Sequence, residues 1–174
     1  RLNPDLDPAL ILGDLNRLSA KALNVNEAEN TGRDGMDLAL CVYDAQKGIL
    51  EYSGAHNPLY HVRSGKLTAH RADKISIGSP EEVGKTFTKT RLELEDGDMI
   101  YIFSDGYVDQ FGGPKGKKFM YQPFRNLLVS MANEESADQR KILHEALESW
   151  KNTGKTRHEQ VDDILVMGFR HKAY

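Results

Sequence analysis

Five consecutive apolar residues between two turn-forming triplets constrain the fold of this chain more than any other feature. Met99 to Phe103 follows Asp96-Gly97-Asp98 and precedes Ser104-Asp105-Gly106. An apolar run of this length, bounded by turn signals, predicts a buried strand. Other runs with strand-like composition or alternation lie at residues 36–43, 48–53, 59–63, 66–70, 86–94 and 164–169. The chain is therefore expected to form its core around sheet.

Three segments carry helical signals. Asp7-Pro8 caps a predicted helix over residues 8–24. Pro123 is expected to open a second helix, and Ser136 with Gln139 has the spacing of a capping box that begins a third. The apolar stripe predicted for the first helix consists of Leu10, Ile11, Leu15, Leu18 and Ala22. The order of helix, several strands, two helices and a closing strand indicates an α+β architecture built on antiparallel sheet.

Composition excludes several functional classes. The 174 residues suit a single domain over residues 1–174, and a net charge of -3 gives no electrostatic footprint for nucleic acid or an anionic membrane. No apolar run approaches the ~20 residues of a membrane-spanning helix. The only cysteine, Cys41, excludes an internal disulfide and is interpreted as a buried core thiol. The sequence begins at Arg1 without an initiator Met, so it is expected to be a piece of a longer protein.

Asp105 is the first candidate for chemistry. It directly follows the predicted buried strand, where its carboxylate would be held rigidly, and Gly106 beside it allows close backbone approach. Such a position suits a hard metal ion that takes oxygen ligands. A triplet of Ser, Asp and Gly also occurs as a simple turn, and both interpretations stay open for this motif alone.

The adjacent carboxylates of Asp162 and Asp163 are the second candidate. They precede the closing strand, and like charges beside an apolar strand repel unless a cation neutralises them. A divalent metal would do so, whereas a solvated turn would need none. Carboxylates at the ends of two strands can converge on one metal centre, so the two candidates together indicate such a centre more specifically than either alone.

At this point the sequence resembles the PPM-type metal-dependent serine/threonine phosphatases, in their bacterial SpoIIE-like branch. The resemblance rests on motifs whose order and spacing match across nearly the whole chain. They lie at Tyr52–Pro58, Ile77-Gly78, Asp96–Gly106, Asp109–Phe119 and Asp162–Leu165. The first of these has Gly and Ala exchanged relative to the family turn, and the segment Asp109–Phe119 resembles a subgroup of bacterial sensor phosphatases.

The resemblance implies an αββα sandwich of two antiparallel sheets flanked by helices, with a binuclear Mn²⁺ or Mg²⁺ site. Asp105 and Asp162 align with metal-ligand aspartates and are the implied catalytic residues, and Asp163, which stands where other relatives carry Asn, is expected as a third metal ligand. The implied chemistry is attack on phosphorus by a metal-activated water, without a covalent intermediate. Further residues implied to serve substrate binding or the adjoining loops are Gly106, His56 and Asn57, although the residue pattern favours interpreting His56 as a turn histidine.

Two departures from the family pattern bear on activity. Leu165 stands where the family carries Thr, which removes a hydroxyl near the site. No segment of residues 1–35 matches the family's N-terminal Asp motif, so the chain resembles the C-terminal three-quarters of the domain. The fold is therefore expected to be incomplete at the N-terminus, and the chain alone is expected to have little or no activity.

The expected function is hydrolysis of phosphoserine or phosphothreonine on a regulatory protein of the anti-anti-sigma kind. The resemblance also implies an upstream sensor domain in the parent chain and a cytoplasmic location, including the cytoplasmic part of a membrane-anchored sensor. A domain lacking a segment should expose apolar sheet surface, which favours self-association as a homodimer. The alternative is a non-catalytic module that keeps the fold and binds a partner.

Three lysines follow the Asp105 motif in a Gly-rich segment. Lys115, Lys117 and Lys118 are expected to form a flexible basic loop, which would either attract a phosphorylated partner or simply be solvated. Trp150 is expected to be a core residue on the apolar face of its helix.

Overall fold

The computed structural model describes residues 6–23, 35–153 and 157–173. The helices are α1 (Pro8–Leu23), α2 (Gly106–Asp109), α3 (Tyr121–Met131) and α4 (Ser136–Asn152). The strands are β1 (Leu38–Asp44), β2 (Ile49–Ala55), β3 (Leu59–Arg63), β4 (Lys66–His70), β5 (Thr90–Glu93), β6 (Met99–Phe103), β7 (Phe111–Gly112), β8 (Lys117–Lys118) and β9 (Val166–Arg170). The chain forms two compact units, the first within residues 1–59, 69–96 and 171–174 and the second within residues 60–68 and 97–170.

The first unit contains an antiparallel sheet of strand order β1-β2-β5. Leu38 is opposite Ala55 in the β1–β2 pair, and Tyr52 is opposite Thr90 in the β2–β5 pair. Helix α1 packs against β1 and β2. The core between this helix and the sheet is formed by Leu12, Ala55, Ile75, Ile77 and Phe87.

Helix α1 begins as predicted but buries a different face. The Asp7 carboxylate accepts hydrogen bonds from the backbone N–H groups of Ala9 and Leu10, at 2.9 and 3.3 Å. The predicted apolar stripe is wrong in part, because Leu10, Leu18 and Ala22 are exposed. The buried face instead includes Asn16, whose side chain accepts from the N–H of Gly78 and donates to the carbonyl of Glu82. A polar residue satisfied by backbone groups can take a core position that an apolar stripe does not reveal.

The second unit contains a sheet of strand order β4-β3-β6-β9. Strands β6 and β9 are antiparallel, with Met99 opposite Arg170 and Phe103 opposite Val166. Asp98, just before β6, is buried and accepts two hydrogen bonds from the guanidinium Nε of Arg63, at 2.9 and 3.1 Å. This pair links β3 to the start of the central strand β6.

Helices α3 and α4 cover one face of this sheet. Aromatic and aliphatic side chains of β3 and β6 pack with those of the helices in one core, which includes Tyr60, Val62, Tyr101, Phe103, Phe124, Leu128, Met131 and Leu147. In this unit the predicted buried strand Met99–Phe103 is confirmed. The expected α+β class, with two antiparallel sheets and flanking helices, is confirmed as well.

Both of these helices differ from prediction at their start. Helix α3 begins at Tyr121 rather than at Pro123, and proline is tolerated in a first turn because the N–H groups there have no partner within the helix. The capping box of Ser136 is wrong. Ser136 is the first helical residue, Glu135 occupies the cap, and Gln139 is buried where it accepts from the Tyr101 hydroxyl at 2.8 Å.

Several predicted element ends also shift. The strand expected over residues 86–94 is only β5, and β1 begins at Leu38, whereas Met36 forms an isolated bridge with Ile77. The closing strand begins at Val166 rather than Ile164, and the end predicted for the first helix, at Asn24, lies outside the described residues. Within the ranges that the structure describes, none of the helices has both the length and the apolar character that crossing a bilayer requires.

Candidate active site

The end of β6 and the segment before β9 are tied together by Ser104. Because the two strands are antiparallel, the residues after β6 lie beside those before β9. The Ser104 N–H donates to the carbonyl of Leu165 at 3.0 Å, and the Ser104 hydroxyl donates to the carbonyl of Asp163 and accepts from the Leu165 N–H, both at 2.9 Å. These three bonds fix residues 163–165 at the end of the sheet where β6 ends and Asp105 lies.

Gly106 allows the two segments to approach closely. A Cβ atom at this position would lie 2.5 Å from the carbonyl oxygen of Asp163 and 3.0 Å from its carbonyl carbon. Gly106 is buried and begins α2, whereas Asp105, Asp162 and Asp163 are exposed. The structure thus brings four of the predicted site residues to one sheet edge, with the carboxylates accessible from solvent.

Lys118 of β8 pairs with Asp109, the last residue of the short helix α2 that follows Asp105. Its ammonium donates to Asp109 at 2.8 Å, and the Asp109 N–H in turn donates to the carbonyl of Asp105 one helical turn earlier. The pKa of Lys118 is raised chiefly by the hydrogen bond to Asp109, and the charges of Asp105 and Asp162 raise this pKa further, against the lowering effect of burial. The negative charges of Asp105 and Asp162 therefore act on the same ammonium group.

The exposed carboxylates of Asp105 and Asp162 have the chemistry of Mg²⁺ and Mn²⁺ ligands, because hard divalent cations take oxygen donors. They fit a metal centre as part of its ligand set. Among residues 6–23, 35–153 and 157–173, no group of three or more His, Cys, Asp or Glu side chains is placed to hold a metal ion. A complete centre would need water or further residues as additional ligands.

A hairpin that the sequence did not predict carries Lys118. Strands β7 and β8 pair between Phe111 and Lys118, where a flexible loop was expected. The Trp150 indole N–H donates to the carbonyl of Gln110 at 3.0 Å, and the N–H of Gly113 donates to the Trp150 carbonyl at 2.8 Å. Trp150 is half-buried against the hairpin and packs edge-on against Phe119.

Trp150 requires glycine at two of the three glycine positions of this hairpin, Gly112 and Gly113. A Cβ atom on Gly112 would overlap the Trp150 carbonyl, and one on Gly113 would lie 2.5 Å from the indole ring. Gln110 also donates from its side-chain amide to the carbonyl of Glu159 at 2.9 Å, which links the hairpin to the segment that leads to Asp162. In the sequence, only the paired glycines and Gln110 could have indicated that this segment forms a hairpin.

His56 and Asn57 lie in the first unit and form a tight turn after β2. His56 has a positive φ of 57°, and its N–H donates to the carbonyl of Asp73 at 2.9 Å. The Tyr52 hydroxyl donates to the carbonyl of Asn57 at 2.7 Å, and a Cβ atom on Gly54 would lie 2.6 Å from that oxygen. These contacts support the interpretation of His56 as a turn histidine, while a role toward substrate stays a prediction.

Cys41 lies in the middle of β1, opposite Tyr52, and is half-buried. Burial raises the pKa of its thiol to about 11, so the thiol is protonated at neutral pH. A protonated thiol is a poor nucleophile, which agrees with its interpretation as a structural residue.

A cavity of about 770 Å³ lies between α4 and β9. Its lining includes Arg140, His144, Ile164 and Val166 but none of the three aspartates. The exposed sheet edge, and not this cavity, therefore holds the chemistry-bearing carboxylates.

Comparisons with known proteins identify relatives of this arrangement. The SiaA-PP2C domain of Pseudomonas aeruginosa is similar in structure, with a TM-score of 0.82 and 25% identity over 94% of this chain and 61% of that one. The phosphatase domain of SpoIIE from Bacillus subtilis matches with a TM-score of 0.60 and 14% identity over 99% of this chain and 77% of that one. The serine/threonine phosphatase PstP/Ppp of Mycobacterium tuberculosis matches with a TM-score of 0.58 and 16% identity over 91% and 68%.

The similarities to the SpoIIE phosphatase domain and to PstP/Ppp show a shared fold. This chain spans about three-fifths of the length of the SiaA domain. A search of the curated proteins finds no match. The family model for stage II sporulation protein E (SpoIIE) matches residues 2–172, nearly the whole sequence. The chain therefore belongs to the SpoIIE family of PP2C-type serine/threonine phosphatases.

Proposed function

We propose that this domain contributes the catalytic edge of a metal-dependent phosphatase that hydrolyses phosphoserine or phosphothreonine on a regulatory protein. One observation carries the proposal: Ser104 and Gly106 hold the segment of Asp162 and Asp163 against the end of β6, where Asp105 lies. Two exposed carboxylates at adjoining strand ends are suited to bind cations together, and the family is metal-dependent.

Each residue of this edge has a distinct role in the proposal. Asp105 and Asp162 would bind Mn²⁺ or Mg²⁺ directly, and Asp163 would bind as a further ligand or keep the adjoining carboxylate in place. Ser104 would position all three through its contacts with the backbone of residues 163–165. Among the described residues no three His, Cys, Asp or Glu side chains, Asp163 included, are placed around one metal position, so the rest of a binuclear centre would come from water or from residues outside those ranges.

When bound, the metal would supply an ionised water as the nucleophile and offset charge on the phosphoryl oxygens. Hydrolysis forms a bond between phosphorus and the water oxygen and breaks the bond between phosphorus and the serine or threonine oxygen, which leaves as the alcohol after taking up a proton. The protonated thiol of Cys41 is consistent with a reaction that has no cysteinyl-phosphate intermediate.

The substrate and setting belong to the same proposal. The substrate would be a small phosphorylated switch protein of the anti-anti-sigma kind, and an upstream sensor domain would control access to the site in the cytoplasm. This part of the proposal rests on the resemblance of the sequence motifs to the SpoIIE-like branch, and the similarity to the SiaA domain adds a shared fold.

The test is Mn²⁺-dependent hydrolysis of an aryl phosphate and of a phosphoserine peptide by the full-length protein. Asp105→Asn removes the ligand charge with little change in volume, and Asp14→Asn makes the same change at an exposed residue of α1. The proposal expects activity in the wild type and in Asp14→Asn, with a loss of about 100-fold or more in Asp105→Asn. Equal activity in both variants would refute the role of Asp105.

A non-catalytic partner-binding module is the second candidate. It is favoured by Leu165, which stands exposed where the family carries Thr; the hydrogen bonds of Leu165 with Ser104 are made by its backbone N–H and carbonyl. This candidate expects no hydrolysis of either substrate in the presence of Mn²⁺, and binding of the phosphorylated protein that does not depend on Asp105.

A further inference from the structure

The hairpin β7–β8 carries the positively charged side chain of Lys118 next to the candidate active site. We propose that Lys118 binds the phosphoryl group of the substrate, a phosphate monoester dianion. This assignment rests on the proposed phosphatase function and adds a substrate-binding residue outside the carboxylates.

The backbone of Lys118 is fixed on both sides. The next two residues are tied back to the segment of α2, because Phe119 donates to the carbonyl of Gln110 at 2.9 Å and Met120 donates to the carbonyl of Val108 at 2.8 Å. On the other strand, Phe111 is the partner of Lys118. A cation on an anchored hairpin needs less ordering when it binds a ligand than one on a free loop.

The side chain of Lys118 is held by Asp109 but keeps N–H donors for a ligand. Its hydrogen bond to Asp109 uses one of the three N–H groups of the ammonium, and 42% of the side chain is exposed. Asp109, which holds this ammonium, donates its own N–H to the carbonyl of Asp105 at 2.9 Å, so a phosphoryl group bound at the Asp105 carboxylate through divalent cations would lie near the ammonium.

Lys117 provides a matched control on the same strand. It carries the same charge one residue away, is opposite Gly112, and by strand alternation its side chain leaves the hairpin on the other face. The assignment therefore expects Lys118 to matter for phosphate binding and Lys117 not to.

The first measurement is calorimetric titration of the full-length protein with inorganic phosphate at saturating Mn²⁺. Each variant is first titrated with Mn²⁺, so that all are compared with the metal bound. We expect Lys118→Met to weaken phosphate binding about tenfold or more, because a charge-assisted hydrogen bond is lost, and Lys117→Met to change it less than about twofold. Equal affinities in the two variants, or no phosphate binding by the wild type, would overturn the assignment.

Kinetics separate this assignment from the proposed function. With a phosphoserine peptide, Lys118→Met is expected to raise KM about tenfold, and Lys118→Arg is expected to restore most of the loss because the charge is retained. Lys118-dependent phosphate binding without hydrolysis would contradict the phosphatase proposal and leave the assignment standing. Hydrolysis with an unchanged KM in Lys118→Met would support the phosphatase proposal and contradict the assignment of Lys118.

Asp109→Asn tests whether the ion pair alone matters. It removes the partner of Lys118 and keeps the ammonium, so phosphate affinity is expected to stay within about threefold of the wild type. A loss as large as that of Lys118→Met would mean that the ion pair is needed rather than the donor, and would overturn the assignment.

Discussion

The candidate site requires glycine at position 106, because a side chain on Gly106 would overlap the backbone of Asp163. A methyl group there would lie 2.5 Å from the carbonyl oxygen of Asp163, which is itself held by Ser104. We expect Gly106→Ala to lower the free energy of unfolding by about 1–3 kcal/mol through overpacking, and to abolish metal-dependent hydrolysis. Urea denaturation of the variant, with a parallel activity assay, measures both effects.

Gly13 is the control for this prediction. It lies in α1 with open space around its Cβ position, so Gly13→Ala should raise the free energy of unfolding by about 0.5–1 kcal/mol, as alanine does in a helix interior. If Gly106→Ala were as stable as Gly13→Ala and fully active, close packing against Asp163 would not be needed.

Asp7 makes the stability of the first unit depend on pH. Its pKa lies below the ordinary value of 3.8, chiefly because Lys89 donates to it, and its bonds to the N–H groups of Leu10 and Ala9 lower the pKa further. A carboxylate with a depressed pKa stabilises the fold above its unfolded pKa, and that contribution is lost as the pH falls through the folded pKa.

We therefore expect Asp7→Asn to be less stable than the wild type at pH 6 by up to about 1 kcal/mol and to differ less from it below pH about 3. Thermal unfolding from pH 2.5 to 6 measures this difference, with Asp14→Asn as the exposed control. A constant difference across that range would show that the charge of Asp7 is not what stabilises the fold.

The sequence predicted the strand-end positions of the carboxylates and a basic segment after Asp105, but not which of its lysines pairs with Asp109. Asp105, Asp162 and Asp163 each adjoin a strand with a strong apolar signal, so their place at strand ends followed from local pattern. Lys118 reaches the same edge only because the hairpin packs on Trp150, about thirty residues further along the chain. A contact between residues so far apart along the chain does not produce a periodic pattern in the sequence.

At the scale of elements, the hairpin β7–β8 depends on its contacts with Trp150. Gly113→Ala would push a methyl group into the Trp150 ring and place alanine at a φ of 68°. We expect a loss of about 1–3 kcal/mol in unfolding free energy and a red shift of tryptophan fluorescence, since Trp150 is the only tryptophan. An unchanged emission maximum would contradict the packing described.

Polar residues inside helices explain the errors at this scale. Asn16 and Gln139 occupy buried helix positions because backbone and hydroxyl partners satisfy them. Apolar periodicity therefore misplaced the buried face of α1, and the Ser136 to Gln139 spacing imitated a capping box. Strand prediction was better where a run was wholly apolar, as in β6, than where Thr-rich composition extended the strand expected around β5.

At the scale of the whole molecule, exposed apolar side chains near β9 predict self-association. Val161, Leu165 and Met167 are more than half exposed, and β9 is the last strand in the order of its sheet. We expect light scattering of this 174-residue chain to show concentration-dependent dimers, which Met167→Lys should weaken at least threefold. A monomer at all concentrations would contradict this expectation.

The central claim is that Asp105 and Asp162 bind the same metal centre, and Mn²⁺ binding to the full-length protein tests it most directly. Electron paramagnetic resonance of free Mn²⁺ would give the affinity of the wild type, Asp105→Asn, Asp162→Asn, the double variant and Asp14→Asn. We expect each single site variant to lose about 10–100-fold in affinity, the double variant to lose less than the product of the two, and Asp14→Asn to match the wild type. Wild-type affinity in either single site variant would contradict the account.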